Sequence, residues 1–415
     1  MMIDRSQVKT LGTMLKTFPV VAVIGPRQVG KSTLVQHPHL ASGRTYRTLD
    51  DLLACDQAGK DPLGLARSAP QLTLDEAQRQ PGLLAALKQV VDEDRRNGRF
   101  LITGSADLGF MADIAKWLTG RVGILRLHPL SWREIAGNAH SSPLWLHALR
   151  SKDAAAMAAR FRDECPPPPE FSPETLFTGG YPPAVTASSP ETRRLWFTAF
   201  RQTYLEREIR QLIHVDHLPD FMRFMQLAAD RTAQVLSQAN LARDLGLPPS
   251  TLFRYFNLLE ATFQITRLPP FFTNIGKRMA KAPKLHWNDT GLCAHLLALN
   301  NWEGAQRDNR AGALLETGVI NEIQTQLDTF LPDATLHYVR SHDGLEIDGL
   351  IQHGRHLLPF EVKAAATIRD HDARHLRLFT ERETRCSTGI LFHLGREITP
   401  MAHNLLALPV GALTL

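Results

Sequence analysis

The octapeptide Gly25-Pro26-Arg27-Gln28-Val29-Gly30-Lys31-Ser32 follows directly on the apolar run Pro19-Val20-Val21-Ala22-Val23-Ile24, and no other segment constrains the chain as strongly. A short apolar run that ends in glycine reads as a buried strand of a parallel sheet. A glycine-rich turn that then feeds a helix turns several backbone N–H groups, and the positive end of a helix dipole, toward an anion. Gly25 and Gly30 let the backbone approach phosphate oxygens, Lys31 reaches the β- and γ-phosphates, and the Ser32 hydroxyl is placed to ligate Mg²⁺, with Thr33 one step into the helix. Residues 25–33 therefore predict a site for a purine nucleoside triphosphate, ATP, with Mg²⁺.

Two further segments fit that expectation. The run Gln71-Leu72-Thr73-Leu74-Asp75-Glu76 reads as a second buried parallel strand that delivers two carboxylates to the sheet edge where nucleotides bind. Asp75 is expected to support Mg²⁺, and Glu76, one residue beyond, to act as general base for an attacking water. A third strand over 99–103 ends in Thr103-Gly104-Ser105, and the hydroxyls of Thr103 and Ser105 are placed to contact the γ-phosphate or that water.

Length and composition bound the rest. A chain of 415 residues exceeds one compact core, so two to three domains are expected. The four cysteines, Cys55, Cys165, Cys293 and Cys386, fall singly, which argues against zinc and structural disulfides and for a reducing compartment. No apolar run approaches the roughly 18 residues of a spanning helix, so a cytoplasmic protein with no membrane partner is expected. The net charge of +5 permits an anionic partner without requiring one.

The predicted class is α/β. Residues 1–135 alternate strand-like runs with helical stretches, the pattern of a parallel sheet with helices on both faces; a helix over 81–91 supplies Leu83, Leu84, Leu87, Val90 and Val91 as a packing face. Ser131 is expected to cap a helix. Residues 136–170 read as an irregular insert, helical over 154–160, ending in a linker that holds the four prolines 166–169. Residues 171–300 read as helical and winged-helix: helices over 195–213 and 221–229, then a helix, a turn at Gly246 and a second helix capped by Ser250. The facing positions of that pair are Leu241, Ala242, Leu245, Leu252, Phe256 and Leu259. After 265–268, a wing would carry Lys277, Arg278, Lys281 and Lys284. Such a density suits double-stranded DNA phosphates, or else forms a solvated face of a lid.

Residues 301–415 combine a helix over 311–327, carrying Glu316 and Glu322, with strands over 334–339, 346–352 and 356–362, the last two joined by a turn at 353–355. Asp348 followed by Glu361-Val362-Lys363 has the spacing of the PD-(D/E)xK nuclease core. In that arrangement two carboxylates hold Mg²⁺ and a lysine steadies the attacking water, and Glu316 takes the place of an additional acidic ligand. Read as a pair of roles, Glu361 and Lys363 are then catalytic as well, and the metal set is Glu316, Asp348 and Glu361.

The strings GPRQVGKST, LDEAQ, ITGSAD, LTGR ending at Arg121, HPLSWRE, GGYPP at Gly179 to Pro183, NDTGL at Asn288 to Leu292, ALLETGVINEI and FEVK together resemble a prokaryotic family of AAA-type ATP-binding proteins whose C-terminal half is a domain of unknown function. The resemblance covers nearly the whole chain. It implies a P-loop ATPase of the AAA+ class, a helical and winged-helix middle, and a C-terminal α/β domain of restriction-endonuclease type. Pro183 departs from the acidic residue more usual there. Arg121 is either an arginine finger or sensor, or a strand-end arginine. Three readings follow: an ATPase coupled to a DNA-associated module, an ATP-gated metal-dependent nuclease, or a non-cutting nucleotide switch that recruits a protein partner; a homo-oligomer is compatible with each.

Overall fold

The computed structural model describes residues 3–105, 108–205, 218–272, 282–341 and 344–415. The chain divides into two compact units, one formed by 1–130 with 261–264 and the other by 131–260 with 265–415.

The first unit holds five strands, β1 (Val20–Gly25), β2 (Thr45–Thr48), β3 (Leu72–Asp75), β4 (Phe100–Ser105) and β5 (Val122–Arg126), in the order β2-β3-β4-β1-β5. All pairs are parallel. Strand β1 is buried along its whole length between β4 and β5, which is why its sequence is an unbroken apolar run rather than an alternating one. The helix Gly82–Glu93 buries Leu83, Leu84, Leu87, Val90 and Val91 in one core with Val20, Ala22, Leu72, Leu74 and Ile102. Register does the rest: Val23 pairs with Thr103 and Leu74 with Ile102, so the end of β4 lies between the phosphate-loop strand and the acidic strand.

The second unit contains a three-stranded and a six-stranded sheet. β6 (Gln234–Val235), β7 (Ile265–Leu268) and β8 (Lys284–Trp287) are ordered β6-β8-β7 and antiparallel. The larger sheet runs β13-β14-β12-β11-β10-β9, with β9 (Thr335–Arg340), β10 (Glu346–His353), β11 (His356–Lys363), β12 (Gly389–His393), β13 (Thr399–Ala402) and β14 (Leu405–Pro409). β9 to β11 form an antiparallel meander, whereas β12 pairs in parallel with both β11 and β14. The hairpin closes with His353 opposite His356 around Gly354, whose φ of 58° is one that glycine adopts freely. The helices Gln238–Leu245 and Pro249–Ala261 bury all six predicted facing positions, and Gly246 turns the chain at φ 67°. The second helix starts on Pro249, one residue before the expected Ser250 cap, because proline lacks only an N–H that a first turn leaves without an intrahelical acceptor.

Three expectations change. Residues 136–170 are no free linker: Trp145 is fully buried and donates to Gln326 at 2.6 Å, the Thr388 N–H donates to the Ser151 carbonyl, and the Ala154 N–H to that of His403. Proline still breaks helix and strand over 166–169, but the Pro169 carbonyl packs where any Cβ at Gly411 would sit. The helix expected over 195–213 starts earlier, at Pro190 behind a Ser189 cap, and passes at Arg201 into a π-helical turn that runs to Leu205; residues 206–213 lie outside the described residues. In the wing, Lys277, Arg278 and Lys281 also lie outside the described residues. Lys284 starts β8 and is buried, so it is not a phosphate contact.

Two of the motif strings meet in this unit. The Asp289 carboxylate accepts N–H donors from Gly180 at 2.6 Å and Leu292 at 2.7 Å, so NDTGL caps its own helix Thr290–Leu296 and grips GGYPP at once. Gly179 sits at φ 67° with the Asp289 carboxylate where a Cβ would go. Pro182 and Pro183 open the short helix Pro182–Val185, which accommodates the unusual second proline. Gly179→Ala should therefore destabilise the protein by more than about 1 kcal/mol, since both strain and overlap act against it. Gly312→Ala, on the helix Ala311–Phe330 with no atom within 4 Å of its Cβ, should be neutral or stabilising. Thermal unfolding of the two variants checks the contrast.

Candidate functional site

The loop after β1 bends through Gly25, Gln28 at φ 61° and Gly30 at φ 93° before the helix Lys31–Val35 begins. At Gly25 a Cβ would strike the Leu127 carbonyl, so only glycine lets the strand end pass β5 this closely. At Gly30 nothing lies within 4 Å of the Cβ position, so the space beside it is open. Pro26 and Val29 are buried and anchor the loop, Arg27 and Ser32 are half-buried, and Gln28 and Thr33 are exposed.

Lys31 is buried, and its ammonium donates back to the carbonyls of Pro26 at 2.8 Å and Gly25 at 3.2 Å. Burial pulls its pKa down to about 8 against the opposing pull of Glu76 and Asp75, with Arg27 pushing further down. Across the sheet, buried Asp75 has both carboxylate oxygens engaged. The Thr103 hydroxyl donates to Oδ1, and the Tyr46 hydroxyl donates to Oδ2 at 2.7 Å. The Thr103 oxygen also accepts the Glu76 N–H at 3.1 Å, so one hydroxyl fixes both acidic residues. Glu76 occupies the left-handed region at φ 56°, ψ 43°, uncommon for a residue with a Cβ, and Gln78 donates to its carboxylate. Burial, then the hydrogen bond to Asp75, pushes the Tyr46 phenol above its ordinary range. Tyr46 was not singled out in the sequence; its signal is the strand period of Thr45–Thr48 beside β3, where Tyr46 pairs with Thr73.

The structure thus brings Gly25 to Thr33, Asp75, Glu76 and Thr103 to one end of the sheet. Ser105 closes β4 at the same end. Arg121 is elsewhere: its carbonyl accepts from Val20 at the start of β1, and its guanidinium donates to Asp92 at 2.6 Å. It lies at the opposite sheet edge from its own chain's loop. The donor set fits a magnesium nucleotide, with a glycine cradle open over the loop and a hydroxyl at Ser32 and a carboxylate at Asp75 as oxygen ligands.

A second cluster lies in the second unit. Asp348 and Glu361 follow the pairing of Gly349 with Phe360, which sets them opposite one another on neighbouring strands, and the β9–β10 register shifts between Ile347 and Leu350 beside them. Glu316 reaches the cluster from the helix Ala311–Phe330, and Lys363 pairs with Glu361 at 3.4 Å. The cation at the centre is Lys284, 3% exposed, 2.6 Å from Glu316, 3.3 Å from Asp348 and 3.7 Å from Glu346. Burial opposes its charge, but Glu316 and Asp348 outweigh burial and hold the ammonium protonated. Burial, then the Asp348 charge, pushes Glu361 up to about 9. Among the described residues no three His, Cys, Asp or Glu side chains are grouped as a metal site requires; Glu316 and Asp348 converge on the Lys284 ammonium, and Glu361 pairs with Lys363. Glu322 serves a helix end: it accepts the Trp132 N–H at 2.7 Å beside the capping box of Ser131 and Glu134.

These features make a P-loop phosphate site on a parallel sheet, and residues 17–136 match the family model described as an AAA domain. Residues 170–303 and 311–413 match two domains of unknown function, DUF8612 and DUF4143. Uncharacterized proteins of Mycobacterium bovis and Mycobacterium tuberculosis are each 29% identical over 368 residues, which is 88% of this chain and 75% of the relative. A Walker-type ATPase of Pyrococcus abyssi aligns at 13% identity and a TM-score of 0.42, over 71% of this chain and 96% of its own. The Holliday junction branch migration motor of Thermotoga maritima aligns at 16% and 0.30, over 67% and 95%. Among the described residues no helix is long and apolar enough to cross a membrane.

The Lys31 ammonium carries a pH prediction. Its pKa is depressed, so it loses its proton as pH rises through about 8, whereas bound phosphate favours the protonated form. ATP affinity should fall about tenfold between pH 7 and pH 9, following the protonated fraction. Lys31→Met should bind weakly with a flat profile, and calorimetric titration with ATP over that range reads both.

Proposed function

We propose that the first unit hydrolyses ATP by in-line attack of water on the γ-phosphate, with Glu76 as general base. The observation that carries this reading is the Thr103 hydroxyl, which holds Asp75 and the Glu76 backbone together beside the phosphate loop. Lys31 exchanges its two loop carbonyls for β- and γ-phosphate oxygens, an exchange of neutral acceptors for anionic ones that favours binding. Mg²⁺, held by Ser32 and Asp75, would neutralise charge developing on the phosphates. Thr103, fixed between the two acids, keeps the Glu76 backbone still while its carboxylate takes the proton of the attacking water. The left-handed backbone at Glu76 is compatible with a side chain aimed by its fold rather than by local preference.

The second unit favours one partner class. Its helix pair turns Phe253, half exposed, and Arg254 outward from the second helix, as a duplex-DNA reader requires. In this reading ATP turnover serves a DNA-associated module.

Lys31→Ala should abolish ATP binding, whereas Glu76→Gln should bind ATP and lose at least about a hundredfold in turnover. A Glu76→Gln enzyme as fast as wild type removes the assignment. For DNA, replacing Lys277, Arg278 and Lys281 with Ala should weaken duplex binding and lower the salt slope by roughly 2 to 3. An unchanged slope in an anisotropy titration removes nucleic acid from the reading.

A further inference from the structure

Strand β8 carries Lys284 and His286 two residues apart, so both side chains leave on one face, toward the helix Ala311–Phe330 and strand β10. An ammonium that is 3% exposed is costly unless oxygen atoms surround it, and here three carboxylates do. Asp348 and the neighbouring Glu361 have further N–H donors. Asp348 gives one oxygen to Lys284 at 3.3 Å and the other to the Val362 N–H at 3.0 Å; Glu316 takes Lys284 at 2.6 Å, and Glu361 takes Lys363 at 3.4 Å. His286 is fully buried behind them: its Nδ1 lies 3.3 Å from the Thr317 hydroxyl, and its Nε2 faces Glu316 at 3.9 Å without a hydrogen bond. A neutral ring there leaves the Lys284 charge for the acids alone, since burial and the neighbouring ammonium both keep His286 unprotonated.

We propose that Glu316, Asp348 and Glu346 form a cation site whose cation is the chain's own Lys284, a charge lock that binds β8 to the six-stranded sheet and, by holding Asp348 beside Glu361, closes the acidic cluster to divalent metal. A divalent ion would need the Asp348 and Glu316 oxygens that Lys284 holds, and would have to expel the ammonium from between them. The spacing Asp348, Glu361, Lys363 is in this view a scaffold for an internal ion pair. It is no nuclease centre. The inference is independent of ATP turnover in the first unit.

Full-length protein without nucleotide tests it, with Mn²⁺ as probe followed by electron paramagnetic resonance and unfolding temperature as a second readout. Wild type and Asp348→Asn should bind the same amount of Mn²⁺. Lys284→Met should lower the unfolding temperature by about 10 °C, because it strands buried carboxylates. Adding Glu316→Gln to Lys284→Met should restore at least half of that loss, since one stranded charge is then gone. One Mn²⁺ bound by wild type and absent from Asp348→Asn would overturn the proposal, as would a double variant no more stable than Lys284→Met. If Lys284→Met cannot be purified, the Mn²⁺ comparison of wild type with Asp348→Asn decides by itself.

Discussion

A buried ammonium must be surrounded by oxygen, and the two lysines buried among the described residues, Lys31 and Lys284, meet that constraint in opposite ways. Lys31 is ringed by neutral carbonyls of its own loop, with Asp75 and Glu76 acting from farther away. Its proton is loosely held, and the site is ready to exchange weak acceptors for phosphate. Lys284 is ringed by carboxylates at contact distance, and its proton is tightly held. One arrangement leaves an incentive to bind an anion; the other leaves none. The same side chain thus marks a binding site in the first unit and a sealed ion pair in the second.

The nucleotide site was legible in the sequence because its parts are local. A glycine spacing, a strand that ends in Asp75-Glu76 and a strand that ends in Thr103 each declare themselves within a few residues, and the parallel order brings them together. The match of residues 17–136 to an AAA domain spans those parts. Tyr46 escaped notice because the period of Thr45–Thr48 marks a strand but not its neighbour, and the role of Tyr46 depends on that strand lying beside β3. Arg121 failed as a partner of its own chain's loop for the same reason: an arginine before β5 belongs to the edge where strands begin, and phosphates bind where they end.

In the second unit the local elements were readable and their company was not. The helix carrying Glu316 and the hairpin carrying Asp348 and Glu361 were placed within a few residues of their observed bounds. Lys284 was assigned to a wing facing DNA phosphates because four cations in eight residues look like a surface; its burial is set by a strand pairing between Lys284–Trp287 and Ile265–Leu268. The stretch 136–170 looked like a linker for want of periodicity, yet single long-range contacts from Asn138, Trp145 and Ala154 fasten it. Strands β12 and β14, apolar runs at Gly389–His393 and Leu405–Pro409, were overlooked although both are interior strands of the larger sheet.

Glu76 keeps a backbone conformation in which a residue with a Cβ pays of order 1 kcal/mol, and in which glycine or asparagine would rest more easily. For folding alone, drift at this position runs downhill toward those smaller residues. Asp75 has no such slope, because its backbone is ordinary strand and its carboxylate is held by two hydroxyls. The two neighbouring acids therefore differ in what retains them. One is kept by the architecture that surrounds it, and the other, under the proposed mechanism, by the proton its carboxylate would take, so on that proposal a descendant of this chain that did not turn over nucleotide would be expected to lose the glutamate while retaining the aspartate.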